Sequence, residues 1–171
     1  MSTIPTFENK QPLWQTVAIL TLGFWLSALL LLDAVIMPSM YASGMMTQSD
    51  FASAGYTMFS VFNRIELVCA ALVLTGLFTT LALQKEGENK NLIAIICSLM
   101  LMAVALFDTY GLTPQMSALG MQLNLFDPAA PAPVVMNQMH AGYWVLEMLK
   151  LGAGTIVLGW FIHHHEHLIS E

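Results

Sequence analysis

Long apolar stretches alternate with short polar segments along the chain, and each stretch is long enough for a transmembrane helix. A hydrocarbon layer about 30 Å thick is crossed by roughly 20 helical residues. Lipid-facing β-strands would alternate apolar and polar residues, and these stretches do not. The pattern therefore predicts an all-α, polytopic membrane protein: one four-helix domain over residues 1–171, with transmembrane helices in an up-down-up-down bundle. The predicted spans cover about 13–37, 59–84, 91–112 and 139–162.

The segments between the spans differ in length and polarity. Residues 84–91 are short and polar, so the second and third spans should form an antiparallel hairpin. Residues 113–138 are longer and less polar, which predicts a short interfacial helix followed by extended, proline-rich chain. Pro114 should end regular helix after the third span.

Composition agrees with a membrane protein and excludes some partners. Of the 171 residues, 57% are hydrophobic and only 9% are charged, and the mean hydropathy is +0.68. A soluble domain carries about a quarter charged residues. The net charge is −6 and no basic patch could neutralise phosphates, so the sequence indicates the lipid bilayer as a partner and no nucleic acid.

The few basic residues outside the spans predict the orientation. Lys10 precedes the first span, and Lys85 and Lys90 lie between the second and third spans. The other two connections lack Lys and Arg, so the positive-inside rule places both termini in the cytoplasm, with residues 163–171 as a cytoplasmic tail. The host membrane is left open; a bacterial inner membrane or a thylakoid membrane would both suit.

Ionisable residues within the predicted spans mark a candidate site, because such side chains are costly in hydrocarbon. In an up-down-up-down bundle, all of them would lie toward the outer side of the membrane. We therefore expect one polar site that opens outward. Its candidate residues are Asp33, Arg64, Glu66, Asp108, His140, Glu147 and Lys150.

Helical spacing groups some of these residues. His140, Tyr143, Glu147 and Lys150 fall along one stripe of the fourth span, which predicts a polar seam for a ligand or a proton. Glu66 should face this seam, opposite Lys150 or His140.

Arg64 and Glu66 are two residues apart, about 200° around a helix axis, so they cannot pair with each other. We therefore expect Arg64 to pair across helices with Asp33 or Asp108, in an ion-pair network.

The charges of the predicted cluster do not balance. Four acids face two bases, so either two carboxyls hold protons, or His140 and a bound cation supply positive charge. A transition-metal ion held by His140, Glu66 and Glu147 is one candidate cofactor. His163 and His167, in the C-terminal histidine tract, are a second candidate metal site. The alternative is that the ion pairs only fix the helix register.

Several short motifs resemble a known family. Phe62–Glu66 in the second span, Tyr110–Leu119 after the third, and Met139–Tyr143 with Glu147–Gly152 in the fourth resemble the transmembrane-protein-205-like family of small four-helix membrane proteins. The resemblance covers about residues 14–162. It implies an up-down four-helix membrane bundle and assigns no catalytic residue.

The sequence favours a binding or transport function over an enzyme. It contains no nucleophile elbow, phosphate loop or zinc-protease helix. The leading hypothesis is an integral membrane protein whose outward-facing polar site binds a proton or metal cation, with passage of that ion left open. The alternative is a structural or assembly subunit of a larger membrane complex or a homo-oligomer. A haem-binding electron carrier is a weaker alternative, because His140 is the one histidine within the predicted spans. We find no internal repeat in the sequence.

Overall fold

The protein is built from helices. The computed structural model describes residues 11–45, 51–83, 90–126 and 134–169, and within these ranges the predicted all-α fold class is confirmed. In chain order, the elements are α1 (Gln11–Leu31), a first π turn (Leu32–Ile36), α2 (Met37–Ala42), α3 (Phe51–Leu83), α4 (Lys90–Phe107), a second π turn (Asp108–Leu112), α5 (Thr113–Phe126) and α6 (Val134–Ile169).

Four helical segments are long and apolar enough to cross a membrane, as the sequence predicts. The first three extend several residues beyond their predicted bounds, each at the end that lies nearer the connections 43–50 and 127–133. The first and third spans continue through their π turns, and the second begins earlier in the chain than predicted. We refer to these segments as spans 1 to 4: Leu13–Ala42, Ser53–Ala82, Leu92–Gly120 and Gln138–His164.

After each of the two π turns, the helix continues through a proline. The Met37 N–H donates to the Leu32 carbonyl, and the Thr113 N–H donates to the Asp108 carbonyl, so each bond reaches back five residues. Pro114 is the second residue of α5, directly after the second π turn, and helix continues past it to Phe126. The prediction that Pro114 ends regular helix is therefore wrong.

The long helices pack in a ring. Helix α1 contacts α3 and α6, and α4 contacts the same two helices. The interior of the ring on the side of the chain termini is mostly apolar, with Leu22, Leu77, Val157 and Phe161 fully buried, and it also contains the buried polar residues Gln15 and Thr80. Large apolar side chains remain exposed on all four spans, as expected where lipid is the solvent.

A close helix–helix approach holds α1 against α3. A Cβ atom added at Gly76 would lie 2.9 Å from the Ala18 Cβ and 3.2 Å from the Trp14 carbonyl oxygen. Glycine lets the two backbones approach, as is common between membrane helices.

Two residues that carry the predicted orientation, Lys10 and Lys85, lie outside the described residues, so the orientation stays a prediction. Lys90 is the first residue of α4.

Candidate functional site

Lys150 lies at the centre of three carboxylates in the interior of the bundle. Its Nζ is 2.9 Å from Glu66 Oε2, 3.1 Å from Asp108 Oδ2 and 2.6 Å from Glu147 Oε1. It also donates a hydrogen bond of 3.0 Å to Glu66 Oε1. We call these four residues the ion cluster.

Three helical elements bring the ion cluster together. Glu66 comes from α3, Asp108 is the first residue of the second π turn, and Glu147 and Lys150 are one turn apart on α6. Each side chain is at most 1% exposed. The ion cluster is therefore fully removed from solvent and lipid, where charged groups are stable only when they are paired.

Helix α1 adds a hydrogen bond to the ion cluster. The Trp25 indole Nε1–H donates to Glu66 Oε1 over 2.8 Å, and Trp25 is 2% exposed. Glu66 thus accepts from both an indole and an ammonium group. These two donors fix its carboxylate between α1 and α6.

Tyr143 and Asp33 extend the polar group toward the connections 43–50 and 127–133. The Tyr143 hydroxyl donates to Asp33 Oδ1 over 3.4 Å, and its ring packs edge-on against Phe59 at 5.6 Å between centroids. Tyr143 precedes Glu147 by about one helical turn and is buried, as is Asp33.

The ion cluster has more acid than base. Three carboxylates face one ammonium, which leaves two negative charges in excess when every group is ionised. Among the described residues, no donor lies in hydrogen-bonding geometry to Asp108 Oδ1 or to Asp33 Oδ2, and both atoms are buried. Protonation would remove the excess charge and give such oxygens a hydrogen to donate.

The ion cluster lies near the middle of the spans. Glu66, Asp108 and Lys150 are each close to the midpoint of spans 2, 3 and 4, while Asp33 is nearer the α2 end of span 1. The sequence placed these residues near one end of each span. The difference arises because the helices extend further toward the connections 43–50 and 127–133 than the apolar pattern indicates.

The two halves of the chain repeat one arrangement of acids. Asp33 lies in the first π turn and Asp108 in the second, and a proline follows each turn at the second position of the next helix. The helix that follows, α3 or α6, then contributes a buried Glu66 or Glu147. π turns inside α-helices are frequent at functional sites. The repeat was missed in the sequence because it is carried by few residues.

The two halves differ at the position three residues after the buried glutamate. Lys150 follows Glu147 by three residues, and the residue three after Glu66 is Cys69, a buried free thiol. Among the residues that the structure describes, Lys150 is therefore the single interior ammonium for the acids of both halves. This asymmetry is the origin of the excess negative charge.

The predicted seam is confirmed in part. Tyr143, Glu147 and Lys150 are buried along α6, and the prediction that Glu66 faces Lys150 is confirmed. His140 is exposed. Seven residues separate it from Glu147, the nearest member of the ion cluster on α6, which is about 10 Å along the helix, so it is not part of the buried seam.

The predicted pairing of Arg64 is wrong. Asp108 pairs with Lys150, Asp33 accepts from Tyr143, and the Arg64 side chain is exposed. The cause is the helical rotation of about 200° between Arg64 and Glu66: when Glu66 points into the bundle, Arg64 must point away.

The structure does not support the predicted metal sites. Within the described ranges, no three His, Cys, Asp or Glu side chains are arranged to hold a metal ion. The Lys150 ammonium occupies the space between Glu66 and Glu147 that a cation would take. In the histidine tract, His163 is exposed, and the side chain of His167 lies outside the described part.

Two polar contacts between helices were missed in the sequence. Besides Trp25, the buried Asn63 amide donates to Thr113 Oγ1 over 2.7 Å and joins α3 to α5. The sequence could indicate only that an indole N–H or an amide within an apolar span needs a hydrogen-bond partner there, and not which residue that partner is.

Comparison with known protein families, with curated proteins and with solved structures finds no match to this chain.

Proposed function

We propose that this multi-pass membrane protein binds exchangeable protons in the ion cluster and transfers them to and from one side of the membrane. The observation that carries the proposal is the set of three fully buried carboxylates around one ammonium. Charged groups that are buried without enough counter-charge take up or release protons, because ionisation in a medium of low dielectric constant is costly.

The charge balance supports protons as the ligand. Two protons shared among Glu66, Asp108 and Glu147 would make the ion cluster neutral. A proton needs no coordination shell, so it fits a site whose centre is filled by an ammonium group. Because these groups lie within hydrogen-bonding distance of the same Nζ, their protons would be shared by the group and not belong to one residue.

The polar residues suggest a one-sided route. Tyr143 and Asp33 lie between the ion cluster and the connections 43–50 and 127–133, and a tyrosine hydroxyl can both donate and accept a proton. In the other direction, most inward positions of α3 and α6 are apolar, among them Val73, Leu77 and Val157. The buried Thr80 hydroxyl donates to its own helix. Protons would therefore exchange by way of Asp33. The sequence prediction for the termini makes this the outer side.

Contacts between opposite ends of neighbouring spans support the up-down arrangement. Gly76, late in span 2, packs against Ala18, early in span 1, and Asn63, early in span 2, donates to Thr113, late in span 3. Such contacts are expected of neighbouring helices that run in opposite directions.

The test uses Glu147→Gln, which keeps the side-chain shape and removes the titrating group. In infrared difference spectra of protein in lipid vesicles, the wild type should show the carbonyl band of a buried carboxylic acid, shifted in D₂O. Glu147→Gln should remove or shift this band and reduce the number of protons that the vesicle-embedded protein takes up when the pH of the medium is lowered. Ser98→Ala is the matched control, because Ser98 is buried on α4 about 15 Å from Asp108.

The proposal fails if the wild type shows no protonated carboxyl, or if Glu147→Gln takes up as many protons as the wild type. Tyr143→Phe tests the route separately. It keeps the ring that packs on Phe59 and should slow the D₂O exchange of the band without removing it.

A role as subunit of a larger membrane complex is the second candidate. The exposed Arg64 favours it, since a cation on the outside of a membrane bundle indicates a neighbour.

A further inference from the structure

Arg64 lies on the outer surface of the bundle, within a membrane span. It is exposed on α3, and the interactions of Asp33 and Asp108 with other residues leave it without an ion pair among the described residues. Charged residues within membrane spans almost always face the bundle interior or a water-filled cavity, and they pair with another group. Within the described part of the chain, this outward-facing arginine therefore lacks the counter-charge that such a position calls for.

The depth of Arg64 makes contact with lipid headgroups costly. At about 1.5 Å per residue, Arg64 lies about 16 Å along the helix from Ser53, the start of span 2. If a hydrocarbon layer of about 30 Å is centred on this span, the Arg64 backbone is about 9 Å below its boundary. The side chain would have to extend past more than one helical turn to reach a phosphate.

The exposed surface around Arg64 has the composition of a helix–helix interface. We call it the α3 seam: Thr57, Val61, Arg64, Val68, Ala71, Thr75 and Phe78, all exposed. Its residues recur with alternating steps of four and three, the spacing at which two helices pack in a left-handed crossing. Small and β-branched side chains predominate near Arg64, as at interfaces between membrane helices.

The outer face of α4 provides a contrast within the same molecule. It exposes larger side chains, which include Leu92, Ile93, Ile96, Leu99, Leu106 and Phe107. These residues suit contact with lipid chains. The α4 face has the same helical spacing but no charge and mostly larger side chains, so the arginine and the small residues around it do not follow from membrane exposure alone.

We propose that the α3 seam binds a transmembrane helix of a partner protein, and that this helix carries an aspartate or glutamate at the depth of Arg64. Arginine pairs with carboxylates through two parallel hydrogen bonds, which fixes the relative position of the two helices. The inference is independent of the proton site, since Arg64 and the ion cluster lie on opposite sides of α3.

A second copy of this chain does not fit the α3 seam. The acidic residue of each span, Asp33, Glu66, Asp108 or Glu147, is buried inside the bundle. A neighbouring copy would therefore present no carboxylate at the required depth. The complementary group must come from a different protein.

Site-specific photo-crosslinking in the cells that make the full-length protein tests the proposal. Benzoylphenylalanine is placed at the position of Val68, one turn from Arg64 on the α3 seam, and as a control at the position of Ile96 on α4. The Val68 position should give an adduct with one membrane protein, whose crosslinked helix contains a carboxylate. Arg64→Leu should reduce this adduct roughly tenfold, the equivalent of about 1.4 kcal/mol, and Arg64→Lys should retain most of it.

Charge reversal gives the decisive result. Arg64→Asp should abolish the adduct, and changing the partner's acid to arginine should restore it in that variant. Three results would each overturn the proposal: adducts with lipid alone, adducts with a second copy of this chain, or a protein adduct unaffected by Arg64→Leu. Arg64→Leu removes an exposed charge, so the variant should still fold. Its purification in detergent as a helical monomer would show this.

Discussion

Replacing Lys150 by methionine would leave three buried carboxylates without their shared counter-charge. Methionine is similar in length and flexibility to the lysine stem, so Lys150→Met changes the charge far more than the volume. All three ion pairs of the ion cluster are lost together. The carboxyls of the folded variant must then become protonated or remain charged in a medium of low dielectric constant.

Removing one partner of a buried ion pair typically costs about 3–5 kcal/mol. We expect Lys150→Met to reduce the free energy of unfolding by about this amount at neutral pH. The three pairs do not add, because protonation of the carboxyls limits the penalty. Adding Glu147→Gln to Lys150→Met should reduce the cost, since one fewer carboxyl is then uncompensated.

The penalty should depend on pH with a definite sign. To become neutral, the folded variant must bind at least one more proton than the folded wild type. A native state that binds more protons gains stability as the pH falls, so the difference between variant and wild type should shrink toward acid pH.

Equilibrium unfolding in mixed dodecylmaltoside and dodecylsulfate micelles, followed by circular dichroism, measures both effects. Leu151→Met is the control variant, because it introduces a methionine at the neighbouring position without changing the charge. Equal stability of Lys150→Met and wild type at neutral pH would refute the interpretation of the ion cluster as a desolvated, charge-dependent group. So would a penalty that stays constant or grows as the pH is lowered.

Three further results are expected. Trp25→Phe removes the donor to Glu66 and should destabilise the bundle by about 1.5–3 kcal/mol in the same unfolding assay; an unchanged unfolding curve would count against this hydrogen bond. Gly76→Ala should cost about 1–3 kcal/mol, because its Cβ would clash with α1, whereas Gly159→Ala, which has open space, should cost nothing. In a variant without the native cysteines, Ser49→Cys should react with an impermeant maleimide added outside intact cells, as the predicted orientation requires; protection of this site would reverse the orientation.

The sequence predicted the helical class well because lipid imposes a single requirement over long stretches. Each run of apolar residues must satisfy its own backbone, so hydropathy locates the helices. The ends were less accurate. Span 1 continues past the predicted end at residue 37, and span 3 past 112, because π turns let polar and proline-containing sequence remain helical.

For the candidate site, the sequence predicted contacts within one helix and not those between helices. The i, i+3 spacing places Glu147 beside Lys150 on α6, and the structure agrees. The choice of Lys150 over Arg64 as the partner of Asp108 depends on how α3, α4 and α6 are rotated against one another. That rotation is set by packing between helices, which a single sequence does not specify.

The second π turn changes the helical rotation between the two parts of span 3, so that side chains before and after it face different directions. A π turn holds one residue more than the α-helical path, so the side chains after it are turned by about 100° relative to those before it. Deleting one residue within the turn would leave Asp108 on Lys150 and swing Thr113 away from Asn63. The loop-side half of the span can therefore change its inward face during evolution by a single insertion or deletion, while the acid that precedes it keeps its direction.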